Sequence, residues 1–339
     1  MSVRVLSPGL LTTVQDGGRA GHAEIGVGGA GAMDRIALRL ANLLVGNAQD
    51  APAFEITLRG PRLRFEIDAL IALTGAEIEA RCNETPVPAW RPVLLRAGCE
   101  LVLGGMRRGA RTYLAIARGF DLPSVLGSHS TDVNAGIGPV PRPLAANDVL
   151  PCSQAPRTLC PELWTALEAR GTGESGTPGF AAASYSLDPA PWFDAHGGRA
   201  LRLIPGTHFA LLDAASQRAL FEREFRIGAE SNRVGLRLEG TPLQLTQPHE
   251  AISEGVAPGT LQLPPGGVPI VLAAEAPTTG GYPRIGHIAG VDQPHLAQRR
   301  PGDALRFARC DLAEAQMRYL ERERAVARLA RNMAERLHG

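Results

Sequence analysis

Short apolar runs alternate with breaks rich in glycine and proline along most of the chain. Runs at 53–59, 63–67, 70–73, 100–103, 112–117, 200–204, 268–274 and 304–308 have the length and bounding of strands. Helical spacing shows in four places. In 34–45, Ile36, Leu40, Leu43 and Leu44 share a face, Asp34 is an N-cap candidate, and Gly46 stands just past the end. Residues 161–170 make a short helix and 211–225 an amphipathic one. Residues 311–337 are long and rich in arginine and glutamate, with Leu312, Met317, Leu320, Leu329 and Met333 on a broken stripe. That pattern predicts a terminal helix docked on the body, with a partner-binding helix as the alternative. The fold class expected is mainly β with a few helices.

The two halves of the chain echo each other. Pro8-Gly9 answers Pro205-Gly206, Leu58-x-Gly60-x-x-Leu63 answers Leu238-x-Gly240-x-x-Leu243, and the strand from Tyr113 answers the one from Ile270. Asn147-Asp148-Val149-Leu150 answers Gly302-Asp303-Ala304-Leu305. Their common order predicts two related units. Short strands without long crossover helices favour antiparallel closure, so each unit is expected to be a small closed β-barrel. The expected division is 1–151 for the first barrel, 152–198 for a connector, 199–309 for the second barrel and 310–339 for the terminal helix. Within the connector, 171–179 is poor in apolar residues and rich in breakers, which predicts a boundary and disorder.

Composition narrows the function. With 339 residues, 44% hydrophobic and 20% charged, the chain has room for two real cores. A net charge of +1 offers no general attraction to nucleic acid or membrane. No apolar run approaches spanning length, and no basic-then-apolar segment opens the chain, so a soluble cytoplasmic protein is expected. The five cysteines are odd in number and form no C-x-x-C, which suggests idle buried thiols rather than a disulfide framework or zinc site. All 35 basic residues are arginine. The chain therefore cannot carry biotin on a lysine of its own, form a Schiff base or complete a P-loop.

Several segments carry candidate chemistry. Residues 253–286 open with Glu254 between a serine and a glycine. They then leave a buried strand into Thr278-Thr279-Gly280-Gly281-Tyr282-Pro283-Arg284. Such a loop can turn N–H groups toward an anion or a developing oxyanion; a tight hairpin is the other reading. Thr13, Gln15, Asp16 and Arg19 cluster beside glycines, as a binding loop or a plain Asx–Gly turn. Ser231 and Arg233 open a strand, where Arg233 suits either a bidentate carboxylate contact or an ion pair. Ser128, beside His129, falls opposite the Thr278 loop in the internal echo, so the two loops are expected at equivalent barrel mouths. Residues 26–31 fit G-x-G-x-x-G but lack the preceding buried strand that a dinucleotide site needs, and a flexible loop into a helix is preferred. Neither H-x-x-x-H nor G-x-S-x-G occurs, and no metal ligands are assigned.

These segments, in order, carry a resemblance. PGLLTTVQDGGRAG (8–21), GAMDRIALRLANLLVGN (31–47), FEITLRGPRLRF (54–65), ALTGAEI (72–78), RTYLAIARGFDLPSVLGSHSTD (111–132), SNRVGLRLEG (231–240), SEGVAPGTLQLPPGGVPIVL (253–272) and TTGGYPRIG (278–286) resemble the allophanate hydrolase subunit 2, or biotin-dependent carboxyltransferase-like, family. The resemblance implies a pair of cyclophilin-like β-barrels. It also implies the C-type component of an ATP-dependent 5-oxoprolinase, an enzyme that activates 5-oxoproline by phosphorylation for ring opening to glutamate. B-type and A-type partner subunits are implied, with ATP and Mg²⁺ used by the complex. One alternative is the carboxyltransferase component of a urea or amide carboxylase, with biotin carried by another chain. Another is a non-enzymatic regulator that binds a kinase-inhibitor partner of the B type. Glu254, Arg233, Thr279 and Tyr282 are then the expected catalytic residues. Thr13, Gln15, Asp16, Arg19, Ser128, Ser231, Thr278, Gly280 and Gly281 are expected to bind substrate or phosphate. Glu275-Ala276-Pro277 stands where the family pattern is expected to run Asp-Arg-Gln-like, and Arg284 where lysine often follows Tyr-Pro.

Overall fold

The computed structural model describes residues 2–153, 160–170, 179–194, 197–247 and 252–338. The chain is mainly β and divides into two compact units. One comprises Met1–Gly18, Asp34–Ala195 and Val326–Gly339; the other Arg19–Met33 and His196–Ala325.

The first unit holds strands β1 (Ser2–Ser7), β2 (Leu11–Gln15), β3 (Ala53–Thr57), β4 (Arg62–Phe65), β5 (Ala69–Cys82), β6 (Thr85–Pro86), β7 (Val93–Leu95), β8 (Glu100–Ile116), β9 (Val149–Pro151) and β10 (Phe180–Ala182). They form one sheet in the order β10-β7-β5-β8-β4-β1-β9, with β3 also on β8, β2 on β3, and β6 on β5. The runs at 100–103 and 112–117, which pattern separates, are the two ends of β8. Its exposed polar middle hides the continuity from a hydrophobicity pattern. Helix α1 (Arg35–Leu44) has the expected cap: Asp34 accepts from the Ala37 N–H at 2.9 Å. Gly46 follows with a φ of 76°, the left-handed conformation glycine supplies at a helix end.

The region read as a connector is structured where it is described. Helix α2 (Pro161–Glu168) contributes buried Leu163, Trp164 and Leu167, and β10 is an edge strand against β7. Both count with the first unit. Residues 171–178, where disorder was expected, lie outside the described residues.

The cysteine expectation is corrected. Cys82 and Cys99 form a disulfide, and Cys152, Cys160 and Cys310 are free and buried. Cys82 ends β5 opposite Leu101 of β8, and Cys99 immediately precedes β8. The pairing follows from strand register, which an odd count without a short motif does not reveal.

The second unit holds β11 (Leu201–Pro205), β12 (Phe225–Ile227), β13 (Gly235–Glu239), β14 (Glu254–Gly255), β15 (Thr260–Gln262), β16 (Ile270–Leu272), β17 (Thr279–Gly280), β18 (Arg284–Ile288), β19 (Ala304–Leu305) and β20 (Phe307–Arg309). Eight of these run in the order β19-β12-β13-β16-β15-β18-β11-β20, and β14 pairs only with β17. Helix α3 (Ala214–Glu222) is shorter than its pattern predicts. Asp213 caps it, accepting from Ser216 N at 2.6 Å, and Phe225 belongs to β12. Short α4 (Gln293–Ala297) follows β18, and the chain ends in the long α5 (Leu312–His338).

Each sheet covers its own core. Val14, Phe54, Leu114 and Leu73 form one apolar cross-strand row in the first, and Leu261, Val271, Ile285 and Leu203 lie in the second. The internal echo has a structural counterpart. The ladder β2-β3-β8-β5 corresponds in order to β12-β13-β16-β15. The correspondence is partial: β1 meets β9 antiparallel, whereas β11 meets β20 parallel.

Candidate functional site

In the second unit, the turn at Glu254 and the Thr-Thr-Gly-Gly turn come together as an isolated ribbon. Glu254 stands opposite Gly280 and Gly255 opposite Thr279. Val256 N donates to Thr278 O at 3.1 Å. Arg284, on β18, ties the ribbon down: Nη2 pairs with the Glu254 carboxylate and Nη1 donates to Gly255 O at 3.1 Å. Its backbone N–H donates to His208 Nδ1 at 3.0 Å. Thr279, Gly281 and Tyr282 are exposed, while Thr278 and Gly280 are half-buried. The ribbon therefore offers solvent a carboxylate, a hydroxyl and a phenol along one short edge.

Arg233 has other partners. It is buried just before β13, with Nε 2.5 Å from Glu275 Oε1 and Nη2 donating to Gly31 O at 2.7 Å. Glu275 N donates to Arg233 O at 2.8 Å. The glutamate that departs from the family pattern is thus the anchor of this arginine. Ser231 Oγ accepts from Arg237 N at 3.1 Å. Arg19 is buried, and its N–H donates to Gly29 O at 2.6 Å. Within 26–31, Gly28 serves packing: a Cβ there would stand 2.9 Å from Ala276 O. That close approach explains the glycine without any nucleotide.

In the first unit, Asp16 organises the loop that carries Ser128. Its Oδ1 accepts from Ser128 Oγ and Ser130 Oγ, each at 2.6 Å, and from Gly18 N at 2.8 Å. Its Oδ2 accepts from His129 N at 2.5 Å. Burial pushes the carboxyl pKa up, but the two serine hydroxyls and two backbone N–H groups outweigh it and hold the group below its ordinary range. Gln15 Nε2 donates to Thr13 Oγ1 at 3.0 Å and to Thr131 O at 2.8 Å. Thr13, Gln15 and Asp16 adjoin along the chain, and the fold brings Ser128, 112 residues away, onto Asp16, a contact that the sequence reading does not anticipate.

Sequence reasoning missed the floor beneath them. Thr13, Glu55, Tyr113 and Thr74 stand opposite one another across β2, β3, β8 and β5, beside the apolar row. Tyr113 Oη donates to Glu55 Oε2 at 2.6 Å and accepts from Asp34 N at 2.8 Å. Burial, then the Glu55 and Asp34 charges, push the Tyr113 phenol well above its ordinary pKa. Arg111 Nε lies 3.9 Å from Glu55 Oε1. The available signal was a glutamate between Phe54 and Ile56 in a strand buried on both faces. His287 was also passed over; burial lowers its pKa, favouring the neutral ring.

The described residues contain no group of three or more His, Cys, Asp or Glu side chains suited to a metal. No helix among them is long and apolar enough to cross a membrane.

Comparison with known proteins adds three findings. The family model for the carboxyltransferase domain, subdomain A and B, matches residues 25–309. The C subunit of 5-oxoprolinase from Escherichia coli (strain K12) is 40% identical over 327 residues, covering 94% of this chain and 96% of that one. The crystal structure of the K. lactis urea amidolyase superposes with a TM-score of 0.84 at 27% identity over 97% of this chain, which spans 20% of that longer chain.

Proposed function

Because the chain belongs to the carboxyltransferase domain, subdomain A and B, family, we propose that it is the C-type component of a 5-oxoprolinase, working inside an enzyme complex with partner subunits. The observation that carries this is correspondence over nearly the full length of both chains with a stand-alone 5-oxoprolinase component at 40% identity. The urea amidolyase likeness, by contrast, is to a fifth of a much longer chain. The partners are B-type and A-type subunits. The finer fold reading belongs to the same proposal: each sheet is a cyclophilin-like barrel, supported by the ladder order shared between the units.

Ring opening of 5-oxoproline requires activation of an unreactive lactam, and charge moves on and off its carbonyl oxygen. Donors fixed in place before reaction are the useful protein contribution. The Thr278–Gly281 backbone and the Thr279 hydroxyl supply donors along the ribbon. Glu254, held by Arg284, is placed to orient a proton, and Tyr282 stands beside them. Arg233 acts as a positioning residue that fixes the 26–31 loop through Gly31. Thr13, Gln15, Asp16 and Ser128 shape the corresponding loop of the first unit, and Ser231 and Arg19 brace the second.

ATP with Mg²⁺ is assigned to the complex rather than to these residues. Asp16 already accepts its hydrogen bonds from Gly18 and the Ser128–Ser130 loop, Glu254 is paired with Arg284, and the described residues offer no carboxylate cluster for a divalent cation. They do not fit a self-sufficient Mg²⁺–nucleotide site, and no step is routed through one.

The test is co-expression with B-type and A-type subunits, purification of the intact complex, and measurement of ADP and glutamate formed with 5-oxoproline. An intact complex without 5-oxoproline-dependent ADP release overturns the reading. The likeness to the urea amidolyase favours carboxyl transfer from a separately carried biotin as the second reading. In that case the chain accelerates urea- or amide-dependent loss of CO₂ from a carboxybiotinylated carrier.

A further inference from the structure

Leu261 and Ile285 point into the second core, so Thr260 and Gln262 on β15 share the opposite side with Arg284 and His287 on β18. Thr260 stands opposite His287 and Gln262 opposite Arg284, with a bulge taking up the odd residue between the pairs. Gln262 is only 5% exposed, yet its Nε2 has no hydrogen-bond partner among the described residues. Arg284 Nε is in the same condition, although its two terminal nitrogens hold Glu254 and Gly255. Two shielded N–H donors on directly opposed residues, with Cβ atoms about 5 Å apart, thus share the want of an acceptor. Unpaired buried donors are costly and rare enough to need a cause. Gly280 of the Thr-Thr-Gly-Gly turn lies against this amide: a Cβ there would collide with Gln262 Nε2.

We infer that Gln262 and Arg284 form the subsite for the lactam edge of 5-oxoproline, with Gln262 Nε2 and Arg284 Nε donating to the lactam oxygen and Gln262 Oε1 accepting the lactam N–H. A ring lactam holds its N–H and C=O on one edge. A primary amide presents the complementary edge, so two parallel hydrogen bonds close between them. An open-chain trans peptide cannot offer both groups at once. Arg284 then has two tasks, anchoring Glu254 through Nη2 and meeting substrate through Nε. The inference rests on the 5-oxoprolinase reading and deepens it by assigning the residues that recognise the lactam.

The experiment uses the intact complex with Gln262→Leu, which keeps the bulk and removes both hydrogen-bonding groups, and Gln262→Glu, which removes the donor. Circular dichroism and thermal melting establish that each variant is folded. The expected result is a fall of about tenfold or more in kcat/KM for 5-oxoproline, the size of a lost buried hydrogen bond. Proline has the same ring and carboxylate without the lactam carbonyl, so whatever competition it gives against the wild-type complex should be unchanged in the variants. Folded variants with wild-type kcat/KM overturn the subsite and leave the donors to bound water, while wild-type turnover still supports the enzyme assignment. If the wild-type complex is inert toward 5-oxoproline, the enzyme assignment falls, and equilibrium binding of 5-oxoproline and 2-pyrrolidinone decides the subsite. Binding abolished by Gln262→Leu sustains it; no wild-type binding, or binding indifferent to the variant, overturns it.

Discussion

Asp16 shows how one carboxylate can fix a loop. Four donors converge on it, and an asparagine in its place presents an NH₂ group toward at least one of them. Asp16→Asn is expected to lower stability by about 2 kcal/mol, measured by urea unfolding. The pH dependence follows from the lowered pKa. Stability from this group is fully present above its unfolded value near 3.8 and is lost as pH falls through the lower folded value. The variant should therefore lose less stability than wild type in acid titration below pH ~4. Arg233 and Glu275 make the opposite kind of pair, both nearly fully buried. Removing one leaves the other charge uncompensated, so Arg233→Gln should cost roughly 3–5 kcal/mol. The Arg233→Met, Glu275→Leu double variant should cost clearly less than the sum of the single losses, in a double-mutant cycle read by denaturant unfolding.

Elements obey their end signals more than their interiors. Helix α1 starts where Asp34 can cap it and stops before Gly46. Asp34→Ala should cost about 1 kcal/mol of stability by thermal or urea unfolding, through loss of the bond from Ala37 N. Strands β5 and β8 are longer than any apolar run in them because they run on as a paired ribbon through exposed charged positions such as Glu77 and Arg108. That extension brings Cys82 to Cys99. Alkylation of the denatured, unreduced protein should accordingly label three cysteines, and five after reduction, as read by mass spectrometry. In α5, Val326, Met333 and Leu337 are buried as a docked helix requires, whereas Leu312, Met317 and Leu320 of the same stripe are exposed. Periodicity marks an apolar face but not how much of it finds a partner.

For the molecule as a whole, the absence of lysine limits the chemistry. Biotin cannot be attached to this chain, so carboxyl transfer requires a second, biotinylated chain. Avidin should leave ATP-dependent 5-oxoproline hydrolysis by the complex untouched. Loss of activity on avidin treatment would instead mark the carboxyltransferase reading. The near-neutral net charge of +1 gives no long-range steering, so assembly with partner subunits depends on local surface complementarity.

Strands β3, β4 and β11, helices α1, α2 and α5, and the caps at Asp34 and Gly46 were legible in the sequence. They depend on neighbours in the chain: alternation, helical spacing and turn chemistry act over a few residues. The family was legible too, because motifs in fixed order survive without any coordinate. The partners of each charged side chain were not. Arg233 lies 42 residues from Glu275 and 202 from Gly31, and Gln262 meets Arg284 only through strand register. The disulfide and the buried Glu55–Tyr113 pair depend on register in the same way. Composition and local pattern set which segments can bury surface. Which polar atoms end up satisfied, and which are left without a partner, is decided when distant strands align and exclude water.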